Sequence, residues 1–126
     1  MSIVLDASAL LALLQREHRG TEVAGVLTES LISSVNWTEV IQKSMQRGMD
    51  TSGVRTDLET AGLKIVGFDA DDAEMAARLW QAGSSLSLAD RACLALGIKL
   101  GAAVWTADRD WATMETGAVV QVADED

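Results

Sequence analysis

The chain has 126 residues, 48% of them apolar and 23% charged, which fits a single domain over residues 1–126 and excludes a disordered or fibrous chain. Ten Lys and Arg stand against 19 Asp and Glu, a net charge of −9, so the overall field repels polyanions. No apolar run approaches the roughly 18 residues that span a bilayer.

The elements follow in order. Ile3–Leu5 reads as a short buried strand, and Leu10, Leu11 and Leu14 then keep helical spacing. Thr21–Leu27 is a second short helix and Leu31–Val35 a strand. Trp37, Val40, Ile41 and Met45 form an apolar helical stripe that Gly48 ends. Val54, Leu58 and Ala61 mark another helix, closed by Gly62, and Ile65–Phe68 is strand-like. Asp71 and Glu74 open a helix, as a capping pair only, with Ala73, Ala76, Ala77 and Trp80 along it. Ser87–Leu100 is apolar nearly all round and reads as the central buried helix; Ala102–Trp105 and Val119–Val122 are the last strands. Strands without period-2 alternation, separated by helices, fit a parallel sheet covered on both faces. The expected fold is a three-layer α/β/α domain with about five strands.

Four carboxylates recur just past an apolar strand, at or near a helix start: Asp6 in IVLDASAL, Glu39 in SSVNWTEV, Asp90 in SLADRACLALG and Asp108 in AVWTADRDW. In an open α/β sheet such positions gather at the carboxyl edge, where ligands bind. Each acid alone has a plain structural reading. Asp6 can cap the helix after the first strand, Asp108 the short helix carrying Trp111, and Asn36/Glu39 and Ser87/Asp90 have the spacing of an N-cap and its third helical residue. Capping does not require the acids to share an edge, however. Clustered carboxylates raise one another's pKa unless a cation offsets them, and hard Mg²⁺ or Mn²⁺ prefers oxygen ligands. Asp90 would lie in a first helical turn, where the macrodipole favours its charge.

Other groups carry less. His18, in QREHRG, reads as a solvated helix end and has no second histidine at ligand spacing, which speaks against zinc. Cys93, the only cysteine, reads as a reduced, buried thiol in a cytoplasmic protein, and the N-terminus lacks the basic region of a signal peptide. Lys43, Arg47 and Arg55 read as flanking the cleft and Arg91 follows Asp90; Lys43, Arg47 and Arg91 are candidate phosphate contacts, against plain surface solvation. The tryptophans read as structural, with Trp80 also a candidate for a dimer or partner surface.

These motifs, V-L-D-A-S-A-L, N-W-T-E-V, L-S-L-A-D-R-A-C-L-A-L-G and W-T-A-D-R-D-W in that order, resemble the PIN-domain family and within it the VapC-type toxin ribonucleases. The resemblance covers almost the whole chain. It implies Mg²⁺- or Mn²⁺-dependent cleavage of single-stranded or looped RNA, with Asp6, Glu39, Asp90 and Asp108 holding the metal or positioning its water. Ser8 and Thr106 match hydroxyl positions that support the acid pocket. It also implies a homodimer held inactive by a cognate VapB-type antitoxin. Asp110 departs from the pattern, as a supporting ligand or a surface acid. Two other readings remain open at this stage: a PIN-like module that binds RNA or a partner without turnover, and a small Mg²⁺-dependent phosphohydrolase in which Asp6 is phosphorylated.

Overall fold

The computed structural model describes residues 2–17, 20–107 and 120–122. Its five-stranded sheet is built from β1 (Ile3–Leu5), β2 (Ser30–Ser33), β3 (Lys64–Val66), β4 (Ala103–Thr106) and β5 (Val120–Val122). The spatial order is β3-β2-β1-β4-β5 and every pairing is parallel. The expected three-layer α/β/α architecture and strand number are therefore found. The order reverses between β1 and β4. In a doubly wound sheet that switch point opens a crevice at the carboxyl edge.

Helices α1 (Ala7–Leu14), α2 (Gly20–Gly25), α3 (Ser34–Gln46), α4 (Val54–Thr60), α5 (Ala70–Arg78) and α6 (Leu88–Leu100) connect the strands, with a 3₁₀ turn at Leu27–Glu29. Successive strand residues point to opposite faces. Ile3 and Leu5 of β1 and Trp105 of β4 accordingly join Leu10, Val23, Ile32, Val40 and Leu58 in one core. Val4 and Val104 join Cys93, Leu94 and Leu96 of α6 in the other. Strands buried on both sides need apolar residues at every position, which is why they show no alternation. Helix α3 touches both α1 and α6, so it bridges the two helical layers beside the switch point. No described helix is long and apolar enough to cross a membrane.

Helix α6 lies close against the sheet because it carries Gly97 where it crosses β4. A Cβ there would sit 2.4 Å from Val104 Cγ2 and 3.3 Å from the Ala102 carbonyl oxygen. Val104 is fully buried, so it has no free space to turn into. Gly97→Ala is expected to cost about 1–3 kcal/mol by overpacking, read as a lower midpoint in urea unfolding with an unchanged slope.

Several local expectations change. The cap of α3 is Ser33, whose side chain accepts from the Val35 amide at 3.2 Å. Asn36 is thus inside the first turn and buried, and is not the N-cap that its spacing to Glu39 suggests. The capping box of α5 is Asp69 with Asp72, two residues earlier than Asp71 and Glu74. Glu74 instead faces Arg78 at 3.7 Å on the helix surface. Because α5 stops at Arg78, Trp80 does not continue its apolar stripe; it is 64% exposed. The Ser87–Asp90 box of α6 forms as its spacing predicts.

Candidate metal-binding site at the switch point

Asp6 ends β1 and does two jobs at once. Its amide donates to the Trp105 carbonyl at 3.1 Å, extending the β1–β4 pairing by one residue. Its side chain caps α1, with Oδ1 accepting from the Ala9 amide at 2.8 Å and from Ser8 Oγ at 2.7 Å. The Thr106 hydroxyl, at the end of β4, donates to Oδ2 at 2.5 Å. Ser8 Oγ in turn accepts from the Ala107 amide at 2.9 Å and lies 3.4 Å from Thr106 Oγ1. The ends of β1 and β4 and the start of α1 are therefore stitched together around one carboxylate. Ser8 and Thr106 stand where the sequence places supporting hydroxyls.

This carboxylate is only 4% exposed. Burial pushes its pKa from 3.8 to about 6; the hydrogen bonds from Thr106, Ala9 and Ser8 pull the other way, and the charge of Asp90 adds to the rise. Asp90 is half-buried in the first turn of α6, where its Oδ2 accepts from the Ser87 amide at 3.0 Å. Glu39 is half-buried on α3. All three acids act on one group beneath them: the Cys93 thiol, raised well above its ordinary range by burial and then by the charges of Asp6, Asp90 and Glu39. Cys93 is fully buried and free, as its sequence context predicts. Asp6, Glu39 and Asp90 thus share one electrostatic neighbourhood, reached from β1, α3 and α6. Asp108, Asp110, Trp111 and His18 lie outside the described residues.

The donor set fits a hard cation. The acids offer oxygen ligands, and one of them, Asp6, is buried without a cationic partner among the described residues. Among the described residues no three His, Cys, Asp or Glu side chains are close enough to hold one ion together. Mg²⁺ keeps several waters and is commonly held by one or two carboxylates plus substrate phosphates.

The basic candidates divide. Lys43, in the last turn of α3, and Arg47, its C-cap residue, are exposed. Arg91 turns away from the acids: its Nη1 donates to the Ala76 carbonyl at 2.9 Å, tying α6 to α5. Trp105 is in the core and Trp37 packs half-buried against it. The sequence reading missed Asn36, which joins α3 to α6 through Nδ2 and the Ala89 carbonyl at 3.0 Å. Its signal was available, since Asn36 lies one helical turn before Glu39.

No curated protein sequence matches the chain. Solved structures do match in fold. VapBC2 from Rickettsia felis, bound to a DNA fragment from its promoter, superposes with a TM-score of 0.76 at 16% identity, covering 98% of this chain and 100% of that one. A toxin–antitoxin complex from Klebsiella pneumoniae gives 0.75 at 21% identity, with 98% and 99% covered. The sarcin-ricin loop cleaving toxin VapC20 from Mycobacterium tuberculosis gives 0.70 at 18% identity, with 88% and 93% covered. The PIN domain family model matches residues 3–116, which include Asp6, Glu39, Asp90 and Asp108. That match spans well over half of the sequence, and the chain belongs to the PIN-domain family.

Proposed function

We propose that the protein is a VapC-type toxin: a Mg²⁺- or Mn²⁺-dependent endoribonuclease, inhibited by a cognate VapB-type antitoxin. One observation carries this reading. A carboxylate buried at the switch point, held by two hydroxyls and an amide, sits in the field of Asp90 with no cationic partner among the described residues.

Asp6, Asp90 and Glu39, with Asp108 as the fourth acid by its motif, would hold the metal or orient its water. When bound, the metal would lower the pKa of a water, align it for in-line attack and stabilise charge on the scissile phosphate. Ser8 and Thr106 hold Asp6 in one rotamer and keep its charge affordable in a buried place. Asp90 is fixed by the Ser87 box, so its carboxylate needs little reorganisation to bind. No side-chain nucleophile takes part. The phosphoacceptor reading fits poorly, since both oxygens of Asp6 are engaged and the group is almost wholly buried. The net charge of −9 makes RNA affinity depend on metal and on local cations such as Lys43 and Arg47.

The test is cleavage of a labelled, structured RNA pool by wild type and Asp6→Asn, with Mg²⁺, with Mn²⁺ and with EDTA. The expected result is metal-dependent cleavage by wild type alone, leaving 5′-phosphate and 3′-hydroxyl ends. Cyclic phosphate ends, or cleavage insensitive to EDTA, would contradict the scheme.

A homodimer and the antitoxin are the proposed protein partners, from the soluble-sized domain, its family and its acidity, which suits a basic partner segment. The exposed Trp80 gives the dimer a large apolar anchor. Trp80→Ala is expected to elute as a monomer with wild-type thermal stability; unchanged elution would assign the contact elsewhere.

A further inference from the structure

We infer that Asn36 is a positioning residue of the acid site: Nδ2 fixes the spacing of Glu39 and Asp90, and Oδ1 accepts a hydrogen bond from a water that hydrates the bound cation. The inference rests on the metal-dependent reading above and extends it to a residue outside the acid set.

Asn36 is 1% exposed, yet it is polar at both ends of its amide. Nδ2 donates to the Ala89 carbonyl at 3.0 Å, a bond across 53 positions of sequence. Ala89 directly precedes Asp90 and lies in the first turn of α6. Glu39 lies three residues after Asn36 on the same side of α3. The amide is therefore a strut between the helices that carry two of the acids. Its register is sensitive, because a slide of α3 against α6 breaks this bond and moves Glu39 relative to Asp90.

The other end of the amide points to more than a strut. Oδ1 is buried and has no hydrogen-bond partner among the described residues. Leaving such an acceptor empty costs about 1–3 kcal/mol, and buried polar atoms are otherwise nearly always paired. A helix–helix tether alone would be served by a residue with a donor only. An unpaired acceptor on the helix of Glu39, in a side chain tied to the residue before Asp90, suits a ligand that brings donors. Water on a divalent cation is such a donor, and the carboxylates provide none.

The experiment measures Mn²⁺ affinity without RNA, by the loss of the free-ion electron paramagnetic resonance signal, alongside kcat and KM for RNA cleavage. Wild type, Asn36→Ala, Asn36→Ser and Asp6→Asn are compared, with unfolding in EDTA as the check on folding. Both Asn36 variants are expected to bind Mn²⁺ on the order of 10- to 100-fold more weakly, as loss of a supporting hydrogen bond does. At saturating metal kcat should fall and KM for RNA stay as in wild type. Should Asn36→Ala not fold, Asn36→Ser, which leaves room for a water beside Ala89, gives the reading. Wild-type Mn²⁺ affinity in a folded Asn36 variant overturns the inference. If wild type itself binds no Mn²⁺, it is the metal-dependent reading that fails; a variant like wild type beside a non-binding Asp6→Asn removes only the role of Asn36.

Discussion

Asp6→Asn is expected to lose cleavage and yet resist unfolding better than wild type when both are in EDTA at pH 7.5. The loss follows from removing a charged ligand; metal contributes several kcal/mol to the transition state, so the rate should drop by about a hundredfold to a thousandfold. The gain follows from burial. The folded pKa of Asp6 is about 6 against an ordinary 3.8. The folded state therefore holds its proton over a range where the unfolded chain has already released it. Stability is full below about pH 3.8, falls as pH rises towards 6, and stays reduced above it. The difference amounts to up to about 3 kcal/mol at neutral pH. Asn carries no charge to desolvate, caps a helix as well as Asp does, and can keep the bonds from Ser8 and Ala9 while its own amide faces Thr106. Adding Mg²⁺ or Mn²⁺ should reverse the order, raising the midpoint of wild type and leaving the variant unmoved. Urea unfolding across pH 4–8, with and without metal, checks each part. A variant less stable than wild type in EDTA at neutral pH would mean that Asp6 is not strained by its charge.

That trade-off between stability and site chemistry explains what the sequence can and cannot tell. The strands were legible because parallel strands buried on both faces must be apolar throughout, as Val4, Leu5, Ile32 and Val104 are. Asp6 was legible for the same reason: an acid directly after such a strand has no simple place in a core. The capping and site readings of Asp6 and Asp90 were set against each other on sequence grounds, yet Asp6 caps α1, Asp90 closes the capping box of α6, and the charge of Asp90 still raises the pKa of Asp6. Periodicity could not settle competition among neighbouring caps. Ser33 takes the start of α3 because β2 ends there, which sends Asn36 into the interior. Asp69 similarly takes α5 from Asp71. The orientation of Arg91 depends on where the last turn of α5 lies, a tertiary fact without a local signal. The structural reading of Trp80 assumed that its helix reached it, whereas α5 ends at Arg78 and leaves Trp80 exposed, as its surface reading required.

Thr106→Val is expected to move the pH dependence of the metal-dependent activity upward without abolishing the activity. Among the groups that hold down the pKa of Asp6, the Thr106 hydroxyl is the strongest, ahead of the Ala9 amide and Ser8. It is fully buried, so water does not readily replace it. A hydrogen bond to a charged group contributes about 1.5–3 kcal/mol, which corresponds to about one to two pKa units. The carboxylate, not the acid, binds a cation, so at pH 7 a larger share of the variant must lose a proton before metal can enter. Metal affinity at pH 7 should fall by about two- to tenfold as the charged share of Asp6 shrinks, and the rising limb of the pH–rate profile should shift to higher pH by about the same one to two units. Raising the pH should then restore Thr106→Val towards wild type, whereas Asp6→Asn stays inactive at every pH. Thr106→Ser, which returns the hydroxyl, should bring the limb back. A uniform loss of activity with an unmoved limb would mean that Thr106 shapes the pocket sterically and does not set the charge of Asp6; a limb displaced to lower pH would contradict the direction of its hydrogen bond.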